Sequence, residues 1–361
     1  MSQISKLRPG GAANALADAR PRGGRYLAMG VLALGLAGGV AACGGSDDSS
    51  SASSGGGGNV DIVAYSTPQE AYEDGLDPAF NETPEGEGVE FSTSFAGSGD
   101  QSRAVEAGQP ADLVHFSLEP DMQRVVDSGA VAEDWDTGEY KGIVEDSVVV
   151  FVVRPGNPND IQTWDDVISG ENEVITPNPF QSGGARWNLV AGYGHVVQGG
   201  GTPEEGVEFI RGILENTSVQ DASARDSLGT FTSGKGDVML AYENEAIAAQ
   251  DAGEEVEFII PDDTLLIETP AAVTENAQDP EAAQAFLDYE LSPEGQQVWA
   301  DNGYRPVDPD VLAENEDKFP TVPQLFTIED LGGWEKINAD LFDTESGSVA
   351  EIESDLGTPL E

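Results

Sequence analysis

Basic side chains are scarce in this sequence. Its 361 residues include 16 Lys and Arg against 67 Asp and Glu, which gives a formal net charge of −51. A surface this acidic repels nucleic acid, so we expect no nucleic-acid partner. The same field gives no long-range attraction to an anionic ligand. Any bound anion must therefore be held by local dipoles.

Cysteine and histidine are also nearly absent, which removes much of the usual chemistry of catalytic sites. Cys43 is the single cysteine, so no disulfide can form within the chain. With only His115 and His195 beside it, the sequence has no metal-ligand cluster, and we expect neither a metal nor another cofactor. An enzyme is the weaker hypothesis. Its catalytic candidate is His115, which ends a predicted strand.

Residues 1–42 have the pattern of a secretory signal peptide. Five basic residues precede an apolar run that ends in small residues. The junction at residues 40–43, Val-Ala-Ala-Cys, resembles a bacterial lipobox, in which the cysteine is lipidated. Residues 43–59 read as a flexible tether rich in Gly, Ser and Asp. We therefore predict an exported protein that a lipid on Cys43 holds at the outer face of the cytoplasmic membrane.

Predicted strands and helices alternate along the rest of the chain. Alternating or continuous apolar patterns and the turns between them predict strands at residues 60–65, 89–95, 112–116, 148–154, 173–176, 218–221, 237–242 and 270–273. Thr67 and Glu70 predict a capping box at the first helix. This order predicts a parallel α/β architecture, in which ligands bind beyond the carboxyl ends of the strands.

Serine- and glycine-rich turns follow several of these strands. The clearest is Ser182-Gly183-Gly184, and a second contains Ser98. Such turns leave backbone N–H groups unpaired at the positive end of a helix dipole, where an anion is stabilised. The alternative for the first turn is an ordinary glycine-rich connection with an N-capping serine.

The motif Ser-Gly-Gly-Ala-Arg-Trp-Asn at residues 182–188, preceded by Thr-Pro-Asn-Pro, resembles the signature of the sulfate- and thiosulfate-binding proteins of ABC importers. Matching motifs follow in order from Val60 to Glu351, among them Glu-Asn-Glu-Ala at residues 243–246. The resemblance implies a two-lobed type II periplasmic-binding-protein fold, with a hinge and a ligand cleft between the lobes. It also implies an exported monomer that delivers sulfate, or a related oxyanion, to ABC permease subunits.

The resemblance further implies which residues bind the ligand, mostly through backbone N–H groups. They are Ser66, Ser98, Ser182, Gly183, Gly184, Ala224, Arg225 and Tyr242. Ser98 is expected to supply a hydroxyl. Tyr242 stands where the best-known members have Trp, and it could instead be a packing aromatic. An indole only donates a hydrogen bond, whereas a phenol donates or accepts, so thiosulfate, molybdate and phosphate stay open as ligands.

The strand order also predicts the lobes. We place the crossovers near residues 146–148 and 261–264, so that the N-lobe consists of residues 60–147 and 263–361 and the C-lobe of residues 148–262. Residues after Pro306 are expected to pack across the N-lobe as an extension. Ligand binding should close the lobes. A surface receptor without a small ligand is the remaining alternative.

Overall fold

A computed structural model describes residues 57–170 and 172–360. The predicted signal peptide, the lipidation site Cys43 and most of the tether lie outside these residues. Among the helices that are described, none combines the length and the apolar character that a membrane crossing requires.

Ten strands in the described residues form one sheet. They are β1 (Asn59–Tyr65), β2 (Glu90–Ala96), β3 (Leu113–His115), β4 (Ile143–Val153), β5 (Val174–Ile175), β6 (Thr217–Val219), β7 (Val238–Tyr242), β8 (Glu257–Ile259), β9 (Asp263–Val273) and β10 (Gln324–Phe326). In the first parallel group, β1 pairs with β2 and β3. In the second, β5 pairs with β6 and β7. The predicted parallel pairing is therefore present in both halves of the chain.

Two long strands, β4 and β9, run antiparallel between the parallel groups, in the order β2-β1-β3-β9-β4-β7-β5-β6. β4 pairs with β9 as far as Val148 and with β7 from Val149 onwards. β9 pairs with β3 at its carboxyl end. The change of partner in β4 lies beside the predicted crossover at residues 146–148, and the lobe boundaries themselves stay a prediction.

Helices connect the strands within each group. They are α1 (Asp77–Asn81), α2 (Ser98–Glu106), α3 (Glu119–Asp127), α4 (Trp164–Ile168), α5 (Gly183–Gln198), α6 (Pro203–Glu215), α7 (Ala224–Thr232), α8 (Glu243–Asp251), α9 (Pro280–Glu290), α10 (Pro293–Asp301), α11 (Pro309–Glu314), α12 (Gly333–Ile337) and α13 (Ser348–Leu356). Two π-helical segments occupy Ala71–Leu76 and Asn338–Phe342, and a 3₁₀ segment occupies Glu329–Leu331. The start of α2 after β2, and of α7 after β6, repeats the strand–turn–helix unit that the sequence predicts.

The apolar side chains of the C-terminal segment from Phe326 onwards pack with those of α5 and α6 in one hydrophobic cluster. The same segment also touches the predicted N-lobe, since α12 contacts α3, and its assignment to a lobe stays a prediction. The Trp334 ring meets Trp187 edge-on, with 4.6 Å between centroids. Arg186 donates to Asn338 and lies over the Phe342 ring. This packing follows from the composition of α5, which is apolar around its circumference and buried along most of its length, so that neighbouring segments must cover it.

Candidate functional site

A narrow cavity lies where the carboxyl ends of both parallel groups meet. It is lined by Tyr65, Ser66, Thr67, Ser98, Ser117, Ser182, Gly183, Gly184, Ala224 and Tyr242. These residues end or follow β1, β2, β3, β5, β6 and β7, so each strand of the two groups contributes. Every residue in this lining is uncharged. In residues 57–170 and 172–360, no His, Cys, Asp and Glu side chains form a metal-binding cluster of three or more.

Four helices begin at this cavity. Ser98 and Ala224 are the first residues of α2 and α7. Ser182 is the N-cap of α5, and Tyr242 is the N-cap of α8. The N–H groups of a first helical turn have no partner within the helix and carry the positive end of its dipole. The cavity therefore gathers neutral hydrogen-bond donors, and such a site suits an anion.

Gly183 allows the backbone to approach the cavity wall closely. A β-carbon at this position would lie 2.5 Å from the Oγ of Ser117 and 2.9 Å from a methyl group of Leu118, so any side chain would displace these neighbours. The glycine is thus required by close packing between the start of α5 and the segment after β3.

We predicted that Ser98 supplies a hydroxyl to the ligand, but the hydroxyl that is free to do so belongs to Ser182. The Ser98 Oγ donates to Asp121 at 2.6 Å and accepts from the backbone N–H of Ser117 at 3.0 Å. A hydroxyl carries one proton, so Ser98 has none left for a ligand. Ser182 is buried, and its side chain makes no capping hydrogen bond. Ser98 can still offer its backbone N–H at the start of α2.

Ser117 lines the cavity although we did not predict it. Its carbonyl accepts from the Trp187 indole at 2.6 Å, and its Oγ lies 2.6 Å from the Tyr242 hydroxyl. Burial raises the pKa of Tyr242 well above its ordinary value, so the phenol stays protonated at neutral pH. Ser117 follows β3 much as Ser98 follows β2. The signal that could have found it was therefore its place after a strand.

The other residues of the Ser-Gly-Gly-Ala-Arg-Trp-Asn motif hold the turn in place. The Asn188 amide donates to the Leu240 carbonyl at 2.8 Å and to the Thr176 hydroxyl at 3.1 Å. The Arg186 guanidinium donates to the Pro179 carbonyl at 2.8 Å. These bonds tie the start of α5 to β7 and to the segment after β5, so they fix the direction of its first N–H groups.

Arg225 lies outside the cavity lining. Its terminal nitrogens contact the Glu70 carboxylate, and one of them also donates to the Thr67 carbonyl at 3.2 Å. The hydrogen bonds from Arg225 lower the pKa of Glu70, and those to Glu70 raise the pKa of Arg225. The predicted capping box is therefore wrong, because Glu70 reaches to α7. The ion pair joins the segment after β1 to the start of α7, on opposite sides of the cavity.

A group of buried polar side chains lies behind Tyr65. The Tyr65 hydroxyl donates to Glu145 Oε1 at 2.7 Å. His115 forms hydrogen bonds with Tyr72 at 2.9 Å and with Thr269 at 3.0 Å. Burial lowers the pKa of His115 to about 3 and raises the pKa of Glu145 to about 7. His115 is fully buried and is not part of the cavity lining.

The raised pKa of Glu145 predicts that the stability of the protein changes with pH. Its pKa in the folded protein lies above the ordinary value of 4.5, so folding takes up a proton between pH 4.5 and about 7. The stability that Glu145 contributes is therefore full below this range and is lost as the pH rises through it. Glu145→Gln keeps an acceptor for Tyr65 but cannot ionise. We expect the variant to gain stability relative to the wild type as the pH rises to about 7.

Urea unfolding of both proteins across this pH range measures the effect. The wild-type protein serves as the control for all other titrating groups, including His115, because the variant retains them. A difference in unfolding free energy that stays constant with pH would contradict the assignment to Glu145.

Comparison with known proteins gives consistent matches over most of the chain. A family model described as bacterial extracellular solute-binding protein matches residues 60–305. The sulfate-binding protein of Synechocystis sp. is 38% identical over 309 residues, which cover 83% of this chain and 87% of that protein. The thiosulfate-binding protein of Escherichia coli is 32% identical over 278 residues, which cover 74% and 82%.

Among solved structures, the sulfate-binding protein SubI from Mycobacterium tuberculosis H37Rv is 44% identical, with a TM-score of 0.77, and the match covers 79% of this chain and 99% of that chain. The two-lobed type II α/β fold that the resemblance implied is therefore confirmed. Export is supported at the level of the family, whose members are described as extracellular. The chain belongs to the bacterial extracellular solute-binding proteins, within the group of sulfate- and thiosulfate-binding proteins.

Proposed function

We propose that this protein captures sulfate in the cavity and delivers it to the permease of an ABC importer. The observation that carries the proposal is an uncharged cavity at which four helices begin. Sulfate presents only acceptors at neutral pH, so a set of donors suits it. A hydrogen bond to a charged group contributes about 1.5–3 kcal/mol, so neutral donors suffice for affinity in a protein of net charge −51. The sulfate-binding relatives support the choice of ligand.

The proposed site modifies the predicted set of donors. The donors are the backbone N–H groups of Ser66, Ser98, Gly183, Gly184 and Ala224, the hydroxyl of Ser182, and one hydroxyl from Tyr242 and Ser117. Arg225 contributes through its ion pair with Glu70 and does not touch the ligand. We assign no catalytic step to this site, and the buried His115 lies too deep to act on a ligand there.

Ser182→Ala is expected to weaken sulfate binding by about 10-fold or more, because it removes a hydroxyl donor to a charged ligand. Ser98→Ala is the matched control, since the Ser98 proton already goes to Asp121. We expect the control to lose less affinity and more stability. Titration calorimetry and thermal unfolding of both variants measure this. A greater loss of sulfate affinity in Ser98→Ala would show that the two hydroxyls are assigned the wrong way round.

The lobes and the anchor complete the proposal. β4 and β9 run between the two parallel groups and supply the hinge, so that closure brings both groups of donors onto the ligand.

We further propose that the protein works as a monomer and that a lipid on Cys43 anchors it. We expect the wild-type protein to incorporate a labelled fatty acid and Cys43→Ala to abolish this incorporation. Equal labelling of the two proteins would exclude Cys43 as the lipidation site.

A further inference from the structure

Two hydroxyl groups meet at one point of the cavity wall. The Ser117 Oγ and the Tyr242 hydroxyl oxygen lie 2.6 Å apart, and either can be the donor. Both residues line the cavity, and each residue is about 1% exposed. Ser117 cannot move away easily, because its N–H is bound to Ser98 and its carbonyl to the Trp187 indole. The pair is therefore a fixed feature of the site.

The protons of this pair can be counted. Two hydroxyls carry two protons, and one proton lies in the bond between them. The described residues give neither oxygen another acceptor, so the second proton is available to a ligand. The hydroxyl that donates within the pair keeps a free lone pair on its oxygen. Towards the cavity, the pair thus presents one donor and one acceptor, whichever residue donates.

We propose that Ser117 and Tyr242 let the cavity take a tetrahedral oxyanion that carries one proton, such as hydrogen phosphate, in addition to sulfate. The proposal rests on the proposed function, because it assigns a ligand class to the same cavity. The ligand O–H donates to one hydroxyl, which donates to the second hydroxyl. The second hydroxyl donates back to another oxygen of the ligand. Sulfate, which has no proton, uses only the last of these bonds.

Other hydroxyls at the cavity stand singly. That of Ser182 can accept a ligand proton, but among the described residues it has no second cavity hydroxyl to which it is hydrogen-bonded. The Ser98 hydroxyl already donates its hydrogen bond to Asp121. The Thr67 hydroxyl accepts from Tyr304 at 3.4 Å, but Tyr304 does not line the cavity, so this second pair presents a single hydroxyl there. No residue in the lining carries a carboxylate that could accept the ligand proton. Recognition of a protonated oxyanion is therefore assigned to Ser117 and Tyr242 together.

Two variants test the pair. Tyr242→Phe leaves the Ser117 hydroxyl, and Ser117→Ala leaves that of Tyr242, so each variant keeps one donor for sulfate but loses the ring of hydrogen bonds. At about pH 8, we expect either change to weaken both ligands, but to weaken hydrogen phosphate binding about 10-fold more than sulfate binding, because only the protonated ligand uses the whole ring. Selenate, a tetrahedral dianion without a proton, is the ligand control and should follow sulfate. Calorimetry of the purified protein and both variants gives the affinities.

The outcomes separate this inference from the proposed function. If the wild-type protein binds sulfate but not hydrogen phosphate, or if both variants weaken the two ligands equally, the inference is wrong and the sulfate site stands. If hydrogen phosphate binds and the variants lose it selectively while sulfate does not bind, the inference holds and the proposed function is wrong. Because each variant retains one hydroxyl, a folding defect in one of them, seen by thermal unfolding, leaves the other to decide.

Discussion

Gly184→Asp is expected to reduce sulfate affinity by about 1000-fold or more, which corresponds to about 4 kcal/mol. A β-carbon on Gly184 would lie 3.4 Å from Ser182, 3.5 Å from Ala224 and 3.6 Å from Tyr242, all of them ordinary contacts with residues of the cavity wall. The variant should therefore fold. Its carboxylate would share a buried cavity with a dianion, where little water screens the repulsion between them. Calorimetry with sulfate measures the loss.

Gly184→Asn is the matched control for this substitution. Its side chain has the size of Asp but carries no charge, so it measures the steric part of the effect. We expect a smaller loss of affinity than with Asp. Equal losses would mean that space and not charge excludes the ligand, and they would argue against an anion at this position. Gly183→Asp would be a poorer test, because even a β-carbon there comes within 2.5 Å of Ser117.

Arg305→Met is expected to lower the free energy of unfolding by about 3–5 kcal/mol, because it leaves the buried Glu243 carboxylate without its partner. The guanidinium donates to both oxygens of Glu243, at 2.6 and 3.1 Å, and the two side chains are 7% and 0% exposed. The backbone of Arg305 also pairs with Asp146 on β4. The ion pair thus fastens the start of α8, next to Tyr242, to the strand that joins the two parallel groups.

An exposed ion pair provides the control. Lys336 and Asp340 lie 2.7 Å apart, one helical turn from each other, and both side chains are at least half exposed. Lys336→Met should cost no more than about 0.5 kcal/mol. Adding Glu243→Gln to Arg305→Met should restore part of the lost stability, since it removes the buried charge. Denaturant unfolding of the set checks both expectations. A cost for Arg305→Met as small as that for Lys336→Met would contradict the role of the buried pair.

Local sequence patterns predicted most of the sheet because several of the parallel strands, such as β1, β3 and β7, are short apolar runs that end in a turn. The predicted strand at residues 237–242, for example, corresponds to Val238–Tyr242. The long strand β9 (Asp263–Val273) was predicted only from Pro270 onwards, because proline usually interrupts a strand. In the structure, the register between β4 and β9 shifts beside Pro270, and the missing N–H is accommodated there.

The site shows where local patterns stop being informative. Serine- and glycine-rich turns after strands indicated four of the ten residues that line the cavity, and the family resemblance added Ser66, Ala224 and Tyr242. The direction of a hydroxyl proton, however, depends on partners distant in sequence. Asp121, which accepts the hydrogen bond from the Ser98 hydroxyl, lies 23 residues further along the chain. Glu70, which binds Arg225, lies 155 residues before it. Such pairings follow from the tertiary fold, and neither the spacing nor the motif predicts them.

Titration of the wild-type protein with sulfate across pH 6 to 8 tests the central claim most directly. If neutral donors hold a fully ionised dianion, sulfate should bind with a stoichiometry of one and with little change in affinity over this range. No lining residue titrates there, since the pKa of Tyr242 lies well above it. The absence of sulfate binding, or binding of phosphate alone that strengthens as phosphate becomes protonated, would contradict the claim.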